Sequence, residues 1–491
     1  MKNLQLPHAK VIPSIISIAI LLAFWFVIPK PEGVDLHAWR LLGIFIGTIA
    51  AIIGKVLPMG AVAIIGILLV GITQVTNPGN PGKAMADALS GYSNALIWLI
   101  GISFFISRGF IKTGLGARVA FYFVRAIGKN TLGISYGLTF AELVLSPVMP
   151  SNTARGGGVM YPINRSIAES LGSHPDEKSR RKLGGFLTLV AYQVNVITCA
   201  MFITATAPNP LITSGIRDVS GIQISWSQWA IAAFVPGLIS LIVIPFVLYK
   251  IYPPTLKATP NAVEFATKKL KEMGPMKLEE WIMVGVFGVL LLIWSGVPAL
   301  ISSHPLLAID PTAGAFVGLG ILLLSGVLTW DDILKEKGAW DTITWFASLV
   351  MMATFLNKLG LVPWFSETIR QTISHTGLGW FEASAILVFI YFFIHYFFAS
   401  NTAHISALFA SFFGVGVALG APPLMFGLFL GFTSSLCASL THYGTGSAPV
   451  LFGSGYVSMN EWWKFGLITS ILNLIIWLSA SVVWWKIIGL W

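Results

Sequence analysis

Pro150-Ser151-Asn152-Thr153-Ala154-Arg155 and Ala399-Ser400-Asn401-Thr402-Ala403-His404 are nearly the same hexapeptide, and each stands inside a hydrophobic stretch. Ser, Asn and Thr side chains bind nearby backbone groups and so favour turns and helix starts. A lipid-exposed backbone cannot turn inside a bilayer, because nothing there satisfies the freed N–H and C=O groups. Two such turns, one in each half of the chain, imply a pair of re-entrant helical hairpins whose tips meet at one buried polar site. That is the pattern of a transporter, not of a receptor or an anchored enzyme.

The surrounding chain agrees. Its 491 residues are 55% hydrophobic and 10% charged, with a mean hydropathy of +0.80, whereas a soluble protein carries roughly 25% charged residues. The fold class is therefore an all-α polytopic membrane protein. Its 18 Trp and 33 Phe suit interfacial belts and helix packing. Cys199 and Cys437 lie in apolar segments and read as small buried hydrophobes, with no disulfide or metal role. The net charge of +10 reads as membrane topology and implies no nucleic-acid partner. No HExxH, Walker A or CxxC spacing occurs, and no cytoplasmic stretch is long enough for a nucleotide-binding domain. An enzyme and a one-chain ATP-driven pump are excluded, and neither a cofactor nor a metal is expected.

Apolar runs of membrane-crossing length fall at 12–28, 41–55, 60–74, 95–110, 184–216, 231–249, 281–297, 312–328, 343–359, 424–440 and 463–488. That is about eleven spans, with hairpins at 131–171 and 383–419 and a surface helix near 362–374. The tail before residue 11 lacks a small-residue cleavage site, so the first span is expected to be retained. Most of the Lys and Arg fall on one side if the N-terminus is cytoplasmic, including a basic stretch at Arg108, Lys112, Arg118, Arg125 and Lys129. In that orientation the first hairpin enters from the cytoplasm and the second from outside, as inverted repeats. Residues 1–130 then read as scaffold, 131–225 as a transport half, and 226–382 as linker, basic loop and scaffold. The second transport half is 383–455, and 456–491 is a C-terminal helix.

The repeat extends beyond the triplets. Trp98 and Trp345 open corresponding spans, which end at Gly114-Leu115 and Gly360-Leu361. Each hairpin is followed by a span broken at small residues, at Thr206-Ala207-Pro208 in one half and at His442-Tyr443-Gly444-Thr445-Gly446 in the other. Broken helices in corresponding places of two inverted halves point to a midplane substrate site. Helix ends converging there expose N–H groups and favour an anion, and Asn152, Thr153, Asn401 and Thr402 add neutral donors. A membrane-embedded Arg faces a partner, a ligand or a wet cavity. Glu142, in the same hairpin, is the available partner for Arg155 but is expected nearer the hairpin mouth, leaving Arg155 for the ligand. His404 occupies the position in the second hairpin that Arg155 occupies in the first. His442 has no counterpart in the repeat and reads as a packing residue. Gly156, Gly157 and Gly158 read as sites of close helix approach.

These residues resemble the divalent anion/sodium symporter family over nearly the whole chain. Ser151 to Gly158 and Gly453-Ser454-Gly455-Tyr456 are similar to its bacterial branch of citrate/succinate, tartrate/succinate and 2-oxoglutarate/malate exchangers. The resemblance implies an elevator-type transport domain on a homodimeric scaffold in a bacterial inner or plasma membrane. It also implies substrate contacts at Ser151, Asn152, Thr153, Ser400, Asn401, Thr402, Thr445, Gly446, Thr206 and Ala207. Sodium-coupled members hold Na⁺ beside each triplet and typically have a small neutral residue where this chain has Arg155 and His404. Those two side chains are therefore expected to compensate substrate charge in place of sodium. The function expected is sodium-independent exchange of C4/C5 dicarboxylates of the 2-oxoglutarate, malate, succinate and fumarate class. A sodium-coupled dicarboxylate or citrate symporter of the same fold is the alternative, and an anion channel the distant one.

Overall fold

The computed structural model describes residues 10–297, 309–373, 379–398 and 400–490. The N-terminal tail, Ala399 and Ser374 at the end of the expected surface helix lie outside the described residues. All regular elements described are helices.

Helices α1 (Val11–Leu22, continued by a π-helical turn Ala23–Val27), α2 (Leu36–Ile53), α3 (Met59–Thr73) and α4 (Pro81–Leu89) lead into a series that occurs twice. It runs first through α5 (Ala95–Thr113), α6 (Leu115–Ile127), α7 (Thr131–Leu145) and a π-helix (Thr153–Met160) continued by α8 (Tyr161–Ser170). Then come α9 (Gly184–Met201), a 3-10 turn (Ile203–Ala205), α10 (Asn209–Ser220) and α11 (Trp226–Ile251). After α12 (Pro260–Met273), α13 (Leu278–Trp294), α14 (Pro311–Leu324) and α15 (Trp330–Lys335), the order recurs. It runs through α16 (Lys337–Lys358), α17 (Leu361–Ile373), α18 (Trp380–Phe393) with a 3-10 turn (Ile394–Phe397), and α19 (Asn401–Ala418). It ends with α20 (Pro423–Leu436), a 3-10 turn (Cys437–Leu440), α21 (Ser447–Phe452) and α22 (Met459–Ile487).

The local chemistry recurs with the order. Gly114 and Gly360 both take positive φ, +76° and +82°, which ends α5 and α16 at low steric cost and turns the chain into α6 and α17. Ser225 and Ser458 open α11 and α22 with capping boxes completed by Gln228 and Glu461.

Nine helices among the described residues are long and apolar enough to cross a membrane, and four shorter apolar ones accompany them. The protein is thus polytopic and all-helical, with fewer full-length crossings than the eleven counted from sequence. The reason is local: the chain breaks into short helices at Gly, Pro and capping residues where hydropathy alone reads a continuous run. Arg118 lies on α6, an amphipathic helix, and its guanidinium is buried in a two-point pair with Glu280 of α13 (Nε–Oε1 2.5 Å, Nη2–Oε2 3.0 Å). Arg180, in the segment between α8 and α9, reaches Glu461 at the start of α22 (2.5 Å) and the Tyr456 carbonyl (3.3 Å).

Two apolar cores result. One joins α2, α3, the start of α5 and α16, and includes Phe398 and Ala403 beside the second triplet. The other joins α9, α11, α20 and α22 with the helices around them. Within the second core, Trp229 of α11 is fully buried and donates to the Ala200 carbonyl (2.9 Å), while Trp485 of α22 donates to the Ala232 carbonyl (2.9 Å). A buried indole whose N–H is satisfied adds its large apolar area without a desolvation penalty.

Candidate functional site

Both triplets cap helices as their composition requires. Ser151 Oγ accepts from Ala154 N (3.1 Å) and Ser400 Oγ from Ala403 N (3.5 Å). One turn on, Arg155 N and His404 N donate to the carbonyls of Ser151 (2.8 Å) and Ser400 (3.1 Å). The first tip then widens into the π-helix, a form that concentrates at functional sites. Gly156 makes room for α9, since a Cβ there would lie 2.9 Å from Asn195 Nδ2. Gly157 faces Val450 of α21, whereas Gly158 meets nothing within 4 Å, so two of the three glycines serve close approach.

The first tip packs against the break of the opposite half, and the helix that the second tip opens packs beside the other break. The first lies beside Thr445, Gly446 and Ser447, where any Cβ on Gly446 would collide with the Thr153 hydroxyl. Thr445 Oγ1 and Ser447 Oγ are hydrogen-bonded (3.0 Å), and Ser447 Oγ donates to Asn195 Oδ1 (2.9 Å). Asn195 Nδ2 in turn reaches Glu142 Oε1 (2.7 Å) and the Asn152 carbonyl (3.4 Å). The helix that follows the second tip, α19, packs along α10, just past the break that holds Thr206 and Ala207. Asn209 of that break donates to the carbonyls of Cys199 (2.8 Å) and Phe202 (2.9 Å), and it accepts from Ser435 of α20 (3.3 Å). Among the described residues no hydrogen bond or ion pair runs directly between the two triplets. The broken helices join them.

Thr153 and Gly446 are exposed, Ser151, Asn152, Ser400, Thr402 and Ala207 are half-buried, and Asn401, Thr206 and Thr445 are buried. Thr153 with Gly446 therefore forms the accessible part of the first tip. Ser400 opens into a cavity lined also by Lys10, Lys55 and Pro58. Sequence reasoning missed those two lysines, because they flank α1 and α2, far from either triplet in sequence. Lys55 does stand out in the backbone, as one of two non-glycine residues with positive φ (50°) among those described.

The expectation that Arg155 keeps its charge for a ligand is corrected. Arg155 has no solvent exposure, and its Nε pairs with Glu142 Oε1 at 2.7 Å. Nη1 donates to the carbonyls of Met149 and Ala205 (2.8 Å to the latter), and Nη2 to Thr198 (3.4 Å) and Cys199 (3.3 Å). Glu142 sits deep in the hairpin, not at its mouth, because a buried guanidinium needs a counter-charge and full hydrogen bonding to be tolerated. His404 likewise faces inward. Its ring stacks on Tyr391 (4.3 Å) and Phe398 (5.1 Å), and its Nδ1 contacts His395 Nδ1 (3.1 Å) and Cys437 Sγ (3.6 Å). Both cysteines are free and buried, as expected, but each touches the side chain behind a tip. His442 accepts from Trp463 Nε1 (3.1 Å) and so has a packing role.

Residues 8–491 match the family described as "Sodium:sulfate symporter transmembrane region". The putative malate transporter YflS of Bacillus subtilis is 52% identical over 98% of this chain and 97% of its own length. The chloroplastic dicarboxylate transporter 1 of Arabidopsis thaliana is 45% identical over 98% of this chain and 84% of its own length. Among solved structures, the MtrF efflux pump of Neisseria gonorrhoeae superimposes with a TM-score of 0.58 at 15% identity, covering 98% of this chain and 96% of that one. The YdaH transporter of Alcanivorax borkumensis gives 0.56 at 13% identity, over 92% and 98%. At such identity these two speak for the fold alone.

Proposed function

Because the chain belongs to the sodium:sulfate symporter family, a family of transporters and not of enzymes, we propose that it is a secondary carrier of C4/C5 dicarboxylates. On this reading it exchanges one dicarboxylate for another without sodium, by an elevator movement of the two hairpins and broken helices. It does so as a homodimer, with a cytoplasmic N-terminus in a bacterial-type inner membrane. The observation that carries the reading is the packing of the first capped tip on the opposite break, where Thr153 and Gly446 are accessible, together with the packing of α19 along α10 beside the other break. Capped helix starts present N–H groups and partial positive charge to an anion, and the Asn, Thr and Ser side chains add donors sized for carboxylate oxygens.

Sodium independence rests on occupancy, not on spare charge. The Arg155 guanidinium takes the Met149 and Ala205 carbonyls behind the first tip, which are the kind of oxygens that a small cation would use. Glu142 balances it, so the pair adds no net charge. Compensation for a dianion then falls to the helix ends and, at the second tip, to Lys10 and Lys55.

Uptake of labelled malate into proteoliposomes, competed by other dicarboxylates and by sulfate, tests the substrate class. Competition by C4 and C5 dicarboxylates but not by sulfate is expected, and the reverse order contradicts the reading. Lys55→Gln is expected to raise KM severalfold at low ionic strength with little change in kcat, because exposed charges act through a screened field. The difference from wild type should shrink as salt rises. An equal KM at all ionic strengths would remove Lys55 from the path of the substrate.

A further inference from the structure

His395, His404 and Cys437 each place a donor atom within 4.8 Å of the other two. His395 Nδ1 is 3.1 Å from His404 Nδ1, which is 3.6 Å from Cys437 Sγ. All three residues have zero solvent exposure. They come from three elements: the 3-10 turn that ends the descending arm of the second hairpin, the first turn of α19, and the 3-10 turn that ends α20. The transport reading uses neither His395 nor Cys437.

We propose that these three side chains form a binding site for a soft monovalent cation of the Cu⁺ type. Donors bound to one d¹⁰ ion, with metal–nitrogen about 2.0–2.1 Å and metal–sulfur about 2.3 Å, stand about 3.3–3.8 Å apart. The His395–His404 and His404–Cys437 separations need to change by only a few tenths of an ångström, and the third, between His395 and Cys437 and within 4.8 Å, closes by up to about 1 Å. Thiolate and imidazole suit Cu⁺ and Zn²⁺ alike, so the donor set restricts the site to these soft and borderline ions and leaves the choice between them to charge and coordination number. Charge selects the valence. The site is dry, and a thiolate with a monovalent ion is neutral, whereas a divalent ion leaves one uncompensated positive charge in low dielectric. Coordination number agrees, since three protein donors suit a trigonal monovalent ion. Zinc takes four and would have to draw on Asn401, whose Oδ1 is 4.0 Å from Cys437 Sγ. On binding, the Cys437 thiol loses its proton, and the ring that carried Nδ1–H carries it on Nε2 instead, so one proton is released per ion. The bound ion cross-links the second tip to its own arm and to the broken helix beneath it.

The test is anaerobic titration of the purified full-length carrier with Cu⁺ against a chromophoric chelator, repeated with redox-inert Ag⁺. One tightly held ion per chain is expected, lost in Cys437→Ser even though Cys199 remains. His395→Gln should weaken binding by at least about tenfold. Wild-type affinity in His395→Gln would mean a lone thiol, and tighter binding of Zn²⁺ than of Cu⁺ would mean a different site; either result overturns the assignment. X-ray absorption on the loaded wild-type protein needs no variant. One sulfur and two nitrogen ligands support the site, and a shell without sulfur or without nitrogen refutes it.

Discussion

Glu142→Gln is expected to destabilise the carrier by about 3–5 kcal/mol, because it leaves the Arg155 guanidinium buried without a counter-charge. The carboxylate does more than pair: its Oε1 also accepts from Asn195 (2.7 Å) and Thr198 (3.4 Å), so the same change loosens the link from the first tip to Ser447. Thermal unfolding in detergent measures the loss. The control is the double variant Glu142→Leu/Arg155→Met, which removes both charges and replaces them with apolar bulk. Such replacements of buried pairs are often neutral or stabilising, so the double variant should regain most of the stability while remaining inactive. A single variant that melts with the wild type would mean that Arg155 is not held as described.

The second large effect is on transport. Asn152→Ala and Asn401→Ala should each weaken substrate binding by about ten- to a hundredfold, the worth of one hydrogen bond to a charged group, with melting temperatures near wild type. The stability half follows from the contacts. The Asn152 backbone carbonyl, which truncation leaves in place, makes the bond to Asn195, while its side chain accepts only from Thr153 at 3.4 Å. The Asn401 amide has one long contact, to Cys437 Sγ at 4.0 Å. Uptake kinetics and melting on the same preparations separate the two quantities. Normal uptake in either variant would take that asparagine out of the site.

Much of the architecture was legible because it rests on local rules. Ser-Asn-Thr in apolar surroundings marks a capped helix start, and both Ser151 and Ser400 cap one. Gly-Leu after a Trp-opened span marks a left-handed stop, and both Gly114 and Gly360 take one. Thr206-Ala207-Pro208 and Gly444-Thr445-Gly446 mark breaks, and short 3-10 turns precede both. Hydropathy windows erred on length, since they run through π-helices and 3-10 turns that a hydrogen-bond pattern separates.

The side-chain partnerships behind the tips were not legible, because they are long-range and set by helix rotation. Arg155 and Glu142 share a hairpin, yet whether the carboxylate reaches the guanidinium depends on how α7 turns relative to the π-helix. His404 lies opposite Arg155 in the repeat, but Tyr391, His395 and Cys437 enclose it from elements that the triplet says nothing about. Lys10 and Lys55 reach the second tip only through the packing of α1 and α2.

The central claim, exchange without sodium, is tested most directly by counterflow in proteoliposomes. Labelled malate is offered to vesicles that are preloaded with unlabelled dicarboxylate or left empty, with Na⁺ or choline outside. Rapid uptake only into preloaded vesicles, at the same rate in Na⁺ and in choline, is the predicted result. Uptake into empty vesicles driven by an inward Na⁺ gradient would contradict the account and establish a sodium-coupled symporter on the same fold.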